Sequence, residues 1–389
     1  MPGFELVGRE EREALNEIFD TSNGVLFAHG FDGLRNGRFR VREFEKEFSA
    51  KLDCGYTQAV TSGTVAQYVA MKAMGVGSGD EVITQAFTFV ATVESILALG
   101  AVPVIVDIDD TYNMDPVELE KAITSNTKLI VPVHMLGNPA DMEPIQAVAT
   151  KHDIPVLEDG CEALGAKYKG KYVGTLSEAG IFSLDFAKTI TCGEGGLITT
   201  SDEKIWRYSK EFHDHGHESN PEIPRGRDTR TIPGMNFRIT EMQAAVASAQ
   251  LVKLDHIVEV SRRNKAILKD YVARDSRVSF RRLTDEAGDL GDTLIFRFDD
   301  VTLTRRFVEK LGEVGLFTKN LPDAIDWHFS GTWNHMFNDV PAYKDSWKTA
   351  WSRSAELLDR SVSLPIFVGK SESDMKADGE KVAGILSEI

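Results

Sequence analysis

The chemistry of this sequence centres on one lysine, Lys188, which lies between two apolar runs that predict β-strands, residues 180–184 and 196–199. The residues that follow it, 192–196, are rich in glycine, which allows backbone angles closed to other residues, so a tight loop is predicted. Burial lowers the pKa of a lysine and leaves its amine nucleophilic. We therefore expect Lys188 to bind a carbonyl group, with an ordinary surface lysine as the alternative.

Three further features would serve a ligand that carries a phosphate and an aromatic ring. Asp159 follows a predicted buried strand, where a carboxylate could hold a proton on a pyridine nitrogen, although a helix cap or surface acid is the ordinary alternative. Ser62, Gly63 and Thr64 lie between a predicted strand and a helix, a geometry that binds phosphate but also fits a simple N-cap. Phe89 could stack on a ring. Lysine, acid, phosphate seat and aromatic are together what pyridoxal phosphate requires.

The elements that must position these residues alternate between strand and helix. The predicted strands are residues 57–60, 81–83, 102–106, 129–133 and 155–158, and the predicted helices between them are residues 65–74, 91–98, and those beginning at 116 and 142. This alternation predicts an α/β fold with a mostly parallel central sheet between helices. Parallel sheets bind ligands at the carboxyl ends of their strands, and the residues named above follow those ends.

The chain has 389 residues, enough for two domains. We predict a large cofactor-binding domain at residues 1–250 and a smaller C-terminal α+β domain at residues 251–389, with the N-terminal segment, residues 1–20, packing on the small domain. A long helix, residues 241–268, is predicted to bridge them. Residues 212–237 show no periodicity, and such loops are often lids or segments that cross to a partner.

Composition excludes several classes of function. The formal net charge is −16 and no basic patch is evident, which argues against nucleic-acid binding. No apolar run reaches about 18 residues, which argues against a membrane span. The N-terminus does not have the pattern of a signal peptide, and three cysteines without metal-type spacing fit reduced thiols. We expect a cytoplasmic protein.

Six motifs together resemble the DegT/DnrJ/StrS group of sugar aminotransferases, which are fold-type I pyridoxal-phosphate enzymes. The resemblance covers essentially the whole chain, and its specific parts are residues 61–64, 87–92, 157–159, 182–183 followed by Lys188, 191–196 and 234–238. It implies that the chain is a pyridoxal-phosphate-dependent transaminase with this group's two-domain fold.

The resemblance also implies a role for each residue around the cofactor ring. Lys188 would carry the cofactor as an imine and then move a proton between the substrate carbon and the cofactor. Asp159 would pair with the ring nitrogen, and Phe89 would stack on the ring. Glu162 stands near the ring hydroxyl where the group often has Gln, and Thr189 stands where Asn usually follows the lysine. The departure at Glu162 leaves the hydrogen bond to that hydroxyl an open question.

The same resemblance places the cofactor phosphate between two subunits. Gly63, Thr64 and Ser183 would bind it from one chain, and Asn236 would reach it from the neighbouring subunit. The implied assembly is a homodimer with shared active sites.

The resemblance implies a two-stage reaction. L-glutamate would leave its amino group on the cofactor as pyridoxamine 5′-phosphate, which would then aminate a keto or aldehyde sugar. One branch of the group has His in place of the lysine and dehydrates its sugar. Because Lys188 is present, we expect transamination rather than dehydration.

Residues 188–192, 214–217 and 326–329 are similar to those of group members whose acceptor is 3,8-dideoxy-8-oxo-manno-octulosonate, a free sugar acid used in lipopolysaccharide synthesis. If the acceptor has a carboxylate, cationic side chains should meet it. The residues predicted to contact the sugar are His215, His217, Arg225, Arg227, Arg230 and His328.

Several alternative functions are compatible with the sequence. The acceptor could be a nucleotide-linked ketosugar, or the enzyme could be a sugar dehydratase. His213, His215 and His217 alternate, so on a strand they would share one face, and a metal-dependent hydrolase is the alternative from another class, although no metal site is predicted. A regulator that binds the cofactor without turnover is the non-enzymatic alternative. The aromatic residues 327–333 are interpreted as core packing in preference to a sugar platform.

Overall fold

The computed structural model describes residues 3–220, 222–338, 340, 343, 347 and 349–389. Nine strands occur in the first two thirds of the chain: β1 (Tyr56–Val60), β2 (Glu81–Gln85), β3 (Val102–Val106), β4 (Thr127–Ile130), β5 (Leu157–Asp159), β6 (Lys167–Tyr168), β7 (Lys171–Tyr172), β8 (Ala179–Ser183) and β9 (Gly196–Thr200). The helices of the same region are α1 (Arg9–Thr21), α2 (Arg40–Leu52), α3 (Gly63–Ala73), α4 (Ala91–Ala98), α5 (Pro116–Ala122), α6 (Met142–His152), α7 (Glu203–Phe212), α8 (Glu241–Val252) and α9 (Leu254–Val272).

Seven of these strands form the central sheet in the order β3-β2-β4-β5-β8-β9-β1. The two halves of the sheet meet where β4 and the residues after it pair in parallel with the β5 segment, Ile130 with Val156 and Val133 with Asp159. Among these seven described strands, only β9 runs against its neighbours, since it is antiparallel to both β8 and β1. The predicted α/β fold with a mostly parallel sheet is confirmed, and the carboxyl ends of its parallel strands lie at one edge.

Helices cover both faces of this sheet because their apolar sides pack on it. One buried cluster joins α2, α8 and the start of α9 to the side chains of β8 and β9, with Phe44, Phe48 and Phe182 at its centre. A second cluster joins α3, α7 and α4 to the opposite side chains of the strands, including Val69 and Ile181. β5 and β8 bury every residue, as expected for strands covered on two faces.

The C-terminal third has a small antiparallel sheet of its own, in the order β10 (Ser279–Phe280), β11 (Thr293–Arg297) and β12 (Ser361–Pro365). The helices of this region are α10 (Val301–Glu313), α11 (Ile325–His328), α12 (Asn334–Phe337), α13 (Ser352–Asp359) and α14 (Glu372–Glu388). α9, α10 and α14 share one apolar core with this sheet, centred on Phe296 and Phe307.

The N-terminal segment contacts both parts of the chain, and residues 1 and 2 lie outside the described residues. The amide of Gly3 donates to the carbonyl of Lys188 at 3.1 Å. The Glu5 carboxylate accepts from the amides of Val368 and Gly369, between β12 and α14. The domain boundary at residue 250 stays a prediction.

The bridging helix differs from its prediction. The chain bends into two helices, α8 and α9, with Lys253 between them, and the second helix continues to Val272 rather than ending at Leu268. Lys253 turns its ammonium group back to the carbonyl of Leu6 and the carboxylate of Glu11. These contacts hold α1 against the junction of the two helices.

Candidate active site

Lys188 lies in the loop that joins β8 to β9, and backbone hydrogen bonds fix that loop. The amide of Cys192 donates to the carbonyl of Leu184 at 3.1 Å, and the amide of Lys188 donates to the carbonyl of Asp185 at 3.0 Å. The N-terminal segment packs closely on this loop at Gly3. A Cβ atom on Gly3 would lie only 2.8 Å from the Lys188 carbonyl oxygen, so a larger residue would not fit there. The Lys188 side chain is only 13% exposed and points into the sheet edge where the predicted site residues meet.

The charge next to Lys188 corrects one expectation from the sequence. Burial alone would lower the pKa of Lys188, but the carboxylate of Glu162 lies with Oε1 3.8 Å from Nζ, and its attraction raises the pKa above the ordinary lysine value. Asp159 and Cys161 act in the same direction. The amine of the cofactor-free chain is therefore held as an ammonium ion rather than as a free nucleophile.

Glu162 is the anion of this cluster, and its two oxygens differ. Oε1 lies 3.8 Å from Lys188 Nζ and 3.6 Å from Nε2 of His328. Oε2 is buried and has no hydrogen-bond partner among the described residues. Burial alone would raise the pKa of Glu162, but the Lys188 and His328 charges outweigh burial and lower the pKa. A buried carboxylate oxygen without a donor calls for one from a bound ligand.

Asp159 ends β5 and is held by three donors. Its Oδ2 accepts from Gln67 Nε2 at 2.7 Å and from Thr92 Oγ1 at 3.1 Å, and its Oδ1 accepts from the amide of Cys161 at 3.0 Å. Burial raises the pKa of Asp159, and the hydrogen bond from Cys161 and the Lys188 charge oppose that rise. A cationic ring nitrogen beside this carboxylate would favour its ionised form further.

The predicted phosphate seat is built where α3 meets β8. Ser62 caps α3 by accepting the amide of Val65 at 3.1 Å, so the ordinary N-cap is present. The amides of Gly63 and Thr64 belong to the first turn, where no carbonyl within the helix can pair with them. A Cβ atom on Gly63 would lie 2.7 Å from the Ser183 Cβ atom, so only glycine lets the helix start this close to that hydroxyl. The amides of Gly63 and Thr64 and the hydroxyl of Ser183 thus converge, as an anion-binding site requires.

Phe89 lies beside this site. The residues on either side of it form hydrogen bonds to a wall that the C-terminal part of the chain builds. The amide of Thr88 donates to the carbonyl of His328 at 2.9 Å, and the amide of Val90 donates to the carbonyl of Trp327 at 2.9 Å. Phe89 is 39% exposed, and the Lys188 ammonium lies 6.0 Å from its ring centroid. The ring thus has a face free for a planar ligand next to the lysine.

Arg225, one of the loop residues predicted to bind substrate, pairs with a different group, Asp214. Arg225 and Arg238 each donate to Asp214 Oδ1 at 2.6 Å, and His29 Nε2 lies 3.5 Å from Oδ2. His217 lies 3.5 Å from Asp228. His215 is exposed, and its amide donates to the carbonyl of Met235. Arg227 and Arg230 are also exposed. Within one chain the structure therefore brings His328 to Lys188 and gathers His217 and Arg225 elsewhere.

Asn236 is exposed, next to Phe237, whose carbonyl accepts the amide of Thr61. This hydrogen bond ties the end of the loop to the start of the phosphate seat. The contribution of Asn236 to a neighbouring subunit stays a prediction.

The three alternating histidines do not form a strand face. His213 ends α7, and its ring nitrogens contact the Lys210 carbonyl and Gln58 Nε2. No group of three or more His, Cys, Asp or Glu that could hold a metal ion occurs in the described part of the chain. The arrangement gives the metal-dependent hydrolase no support.

Two residues that lie beside the site, Gln67 and Trp327, were not singled out by sequence reasoning. Gln67 lies one turn after Gly63 on α3, so the spacing of four residues was a signal that both face the same side. Trp327 was grouped with core aromatics, but it is exposed, whereas Trp333 is buried as expected. No periodicity distinguishes the two.

The residues present fit pyridoxal phosphate. The first-turn amides of α3 with Ser183 suit its phosphate, Asp159 suits its ring nitrogen, and the exposed face of Phe89 suits its ring. The unpartnered Glu162 Oε2 lies where a hydroxyl donor would satisfy it, and Lys188 supplies the amine. Each group is matched by an observed feature of the site.

Comparison with known proteins agrees with this fit. Residues 29–382 match the DegT/DnrJ/EryC1/StrS aminotransferase family. A GDP-perosamine synthase from Caulobacter vibrioides is 39% identical over 266 residues, 65% of this chain and 70% of that protein. A pleiotropic regulatory protein from Geobacillus stearothermophilus is 40% identical over 265 residues, which are 66% of each chain.

Solved structures show the same fold along the whole chain. An aminotransferase from Psychrobacter cryohalolentis superposes with a TM-score of 0.87 at 27% identity, covering 98% of both chains. NtdA from Bacillus subtilis, solved with bound pyridoxamine phosphate, superposes with a TM-score of 0.81 at 25% identity over 98% of this chain and 83% of its own. The chain belongs to the DegT/DnrJ/EryC1/StrS aminotransferase family and is a pyridoxal-phosphate-dependent aminotransferase.

Proposed function

We propose that this aminotransferase moves the amino group of L-glutamate to a keto or aldehyde sugar, namely 3,8-dideoxy-8-oxo-manno-octulosonate, in the synthesis of bacterial lipopolysaccharide sugars. The observation that carries the proposal is the convergence of Lys188, Glu162 and His328 beside Asp159 at one edge of the sheet. The similarity to a GDP-perosamine synthase supports a sugar acceptor. The likeness of residues 214–217 and 326–329 to octulosonate enzymes supports this particular sugar.

Each of the chain's own residues would have a separate task. Bound pyridoxal phosphate supplies an electron sink for charge that develops on the substrate carbon. The α3 amides and Ser183 hold its phosphate, and Asp159 keeps its ring nitrogen protonated. With the cofactor bound, the Lys188 amine would take a proton from one carbon and return it to another. Glu162 would hold the lysine nitrogen in place between these two transfers, and His328 would position Glu162.

The proposal includes a homodimer, supported by an apolar face near the long loop. We define the apolar face as the exposed side chains of Leu26, Phe27, Phe31, Leu34, Met235 and Met242. Its parts are joined, because the Glu241 amide donates to the Leu26 carbonyl and the Arg238 guanidinium lies over the Phe27 ring. Patches of this kind mark association surfaces, and Asn236 lies in the same stretch of chain. Contact there would let Asn236 reach the partner's phosphate seat.

No helix in the described ranges is long and apolar enough to cross a bilayer. The proposal places the enzyme in the cytoplasm, where glutamate and the cofactor are supplied.

A nucleotide-linked ketosugar is the second candidate acceptor. It is favoured by the named activity of the Caulobacter relative, a GDP-perosamine synthase. Dehydration is disfavoured because Lys188 is retained, and a purely regulatory role is disfavoured because Lys188 and Asp159 both occupy the site.

The absorption spectrum of the purified holoenzyme tests the proposal in two stages. L-glutamate should bleach the visible band of the bound cofactor. After the donor is removed, 3,8-dideoxy-8-oxo-manno-octulosonate should restore the band, and GDP-4-keto-6-deoxymannose should restore it far more slowly. Restoration by the nucleotide sugar alone would transfer the assignment to the second candidate. A band that glutamate leaves unchanged would remove glutamate as the donor.

A further inference from the structure

Trp327 is exposed, whereas the three residues that follow it, 328–330, are buried. It exposes 61% of its surface, whereas Trp333, six residues later, is fully buried. Exposing so large an apolar side chain costs free energy unless something covers it. The exposure therefore indicates that another molecule covers this indole during function.

The backbone under Trp327 is fixed by hydrogen bonds on two sides, so the indole is attached to a rigid frame. Its carbonyl accepts the amide of Val90, and Phe87 pairs with Phe329 as an antiparallel bridge. On the other side, Trp333 Nε1 donates to the carbonyl of Asp326 at 2.9 Å. The segment 326–329 is thus joined to the end of β2 on one side and to the C-terminal core on the other.

The indole lies at the mouth of the active site. Its ring is nearly parallel to that of Phe89, with centroids 6.3 Å apart and planes 13° apart. The next residue, His328, lies 3.6 Å from Glu162, which in turn lies 3.8 Å from Lys188. A molecule bound beside Phe89 and Lys188 therefore lies within reach of Trp327.

We propose that Trp327 is a platform for the acceptor sugar and that it contributes to recognition of the acceptor but not of the amino donor. Sugars present one face of C–H groups, which pack on an indole, while their hydroxyl groups stay free to bond with the N–H of that ring. L-glutamate has no such face and is small enough to react without reaching the indole. This inference rests on the proposed function, because it requires a sugar acceptor.

Two purely structural roles for the exposed indole lead to different outcomes. If Trp327 only supports Phe89 from behind, its loss should weaken cofactor binding and slow both halves of the reaction alike. If it is a contact between subunits, its loss should change the oligomeric state.

The test measures the two half-reactions separately in Trp327→Ala and Trp327→Phe holoenzymes. Phe317→Ala is the matched control, since Phe317 is 57% exposed and packs on Phe367 in the C-terminal part. We expect Trp327→Ala to raise the KM for the acceptor by about tenfold and Trp327→Phe by about threefold, because a phenyl ring keeps part of the stacking energy. The glutamate-dependent bleaching, the cofactor spectrum and the elution volume on gel filtration should not change.

The acceptors used are 3,8-dideoxy-8-oxo-manno-octulosonate and GDP-4-keto-6-deoxymannose. The tryptophan fluorescence of the wild type should fall when the acceptor binds, and the Trp327→Phe variant should not show this fall. Equal losses in both half-reactions, a dissociated variant, or an unchanged acceptor KM would each overturn the inference. If neither sugar binds or reacts while glutamate still bleaches the band, the inference fails together with the sugar assignment. If glutamate fails while the acceptor KM responds to Trp327, only the proposed donor is wrong.

Discussion

The region around Lys188 and the loop 212–237 both concentrate charged side chains, but they do so in opposite ways. Around Lys188 the charges lie at the ends of buried strands, and a polar atom, Glu162 Oε2, is left without a partner among the described residues. In the loop, Asp214 gathers Arg225, Arg238 and His29, so its carboxylate is used within the fold.

The difference shows which cluster is prepared for a ligand. A carboxylate that two guanidinium groups already satisfy stabilises a loop, whereas a buried carboxylate oxygen with an unmet hydrogen bond is available to a ligand. Reactivity should therefore depend on the first cluster and stability on the second. Four measurements test this contrast.

The largest effect is expected from Lys188→Ala. Removing the amine removes the proton carrier, so the visible band should be absent and transamination should fall by more than about a thousandfold. The absorption spectrum and the rate of the glutamate half-reaction measure this, with Lys204→Ala, an exposed lysine at the start of α7, as control. Retention of the band in Lys188→Ala would assign the chemistry to another residue.

Asp214→Asn should affect folding far more than chemistry. It leaves Arg225 and Arg238 facing a neutral group, which should lower the free energy of unfolding by roughly 3 kcal/mol. Denaturant unfolding measures the change, while the glutamate half-reaction of the folded variant should stay close to that of wild type. Glu203→Gln, which breaks an exposed pair with Arg207, should have little effect. A stable Asp214→Asn enzyme with a dead first half-reaction would contradict the contrast.

Glu162→Gln should change the pH at which the chain binds its cofactor. The groups that face Lys188 are Glu162, Asp159, Asp185 and Cys161, and the first has the largest effect among those that raise its pKa. Without that charge, the pKa of Lys188 should fall, and the pH midpoint for capture of pyridoxal phosphate by the cofactor-free protein should fall with it. A titration followed by absorbance measures it. An unchanged midpoint would mean that Glu162 does not control the amine, and Asp185→Asn should give only a small shift.

The smallest expected effect is a loss of stability at mildly acidic pH. Burial lowers the pKa of His29 and of His213 from 6.5 to about 4 in the folded chain. The unfolded chain therefore binds protons first as the pH falls below 6.5, and stability should decline between pH 6.5 and about 4. Thermal unfolding across that range measures the slope, which His213→Gln should reduce. Equal slopes in the two proteins would exclude His213 as a source.

Much of the fold and the seat could be predicted because short-range patterns determine them. Strands followed by small polar turns gave Gly63 and Ser183, and an apolar run that ends in an acid gave Asp159, since each residue sits where its own strand stops. The ammonium state of Lys188 could not be predicted, because it depends on Glu162, which follows another strand. The loop arginines were chosen by charge, and charge does not distinguish an ion pair within the fold from a ligand site.

The pairing of segment 326–329 with the end of β2 has a consequence for redesigning this enzyme. Its hydrogen bonds come from backbone atoms of Thr88 and Val90 to backbone atoms of Trp327 and His328, so they do not depend on which side chains stand there. Position 327 can therefore be varied in a library without losing the geometry of the wall, whereas His328 must be kept because its side chain contacts Glu162. We expect selection for new amine acceptors to find its gains at position 327, on a frame that leaves the lysine and the cofactor seat untouched.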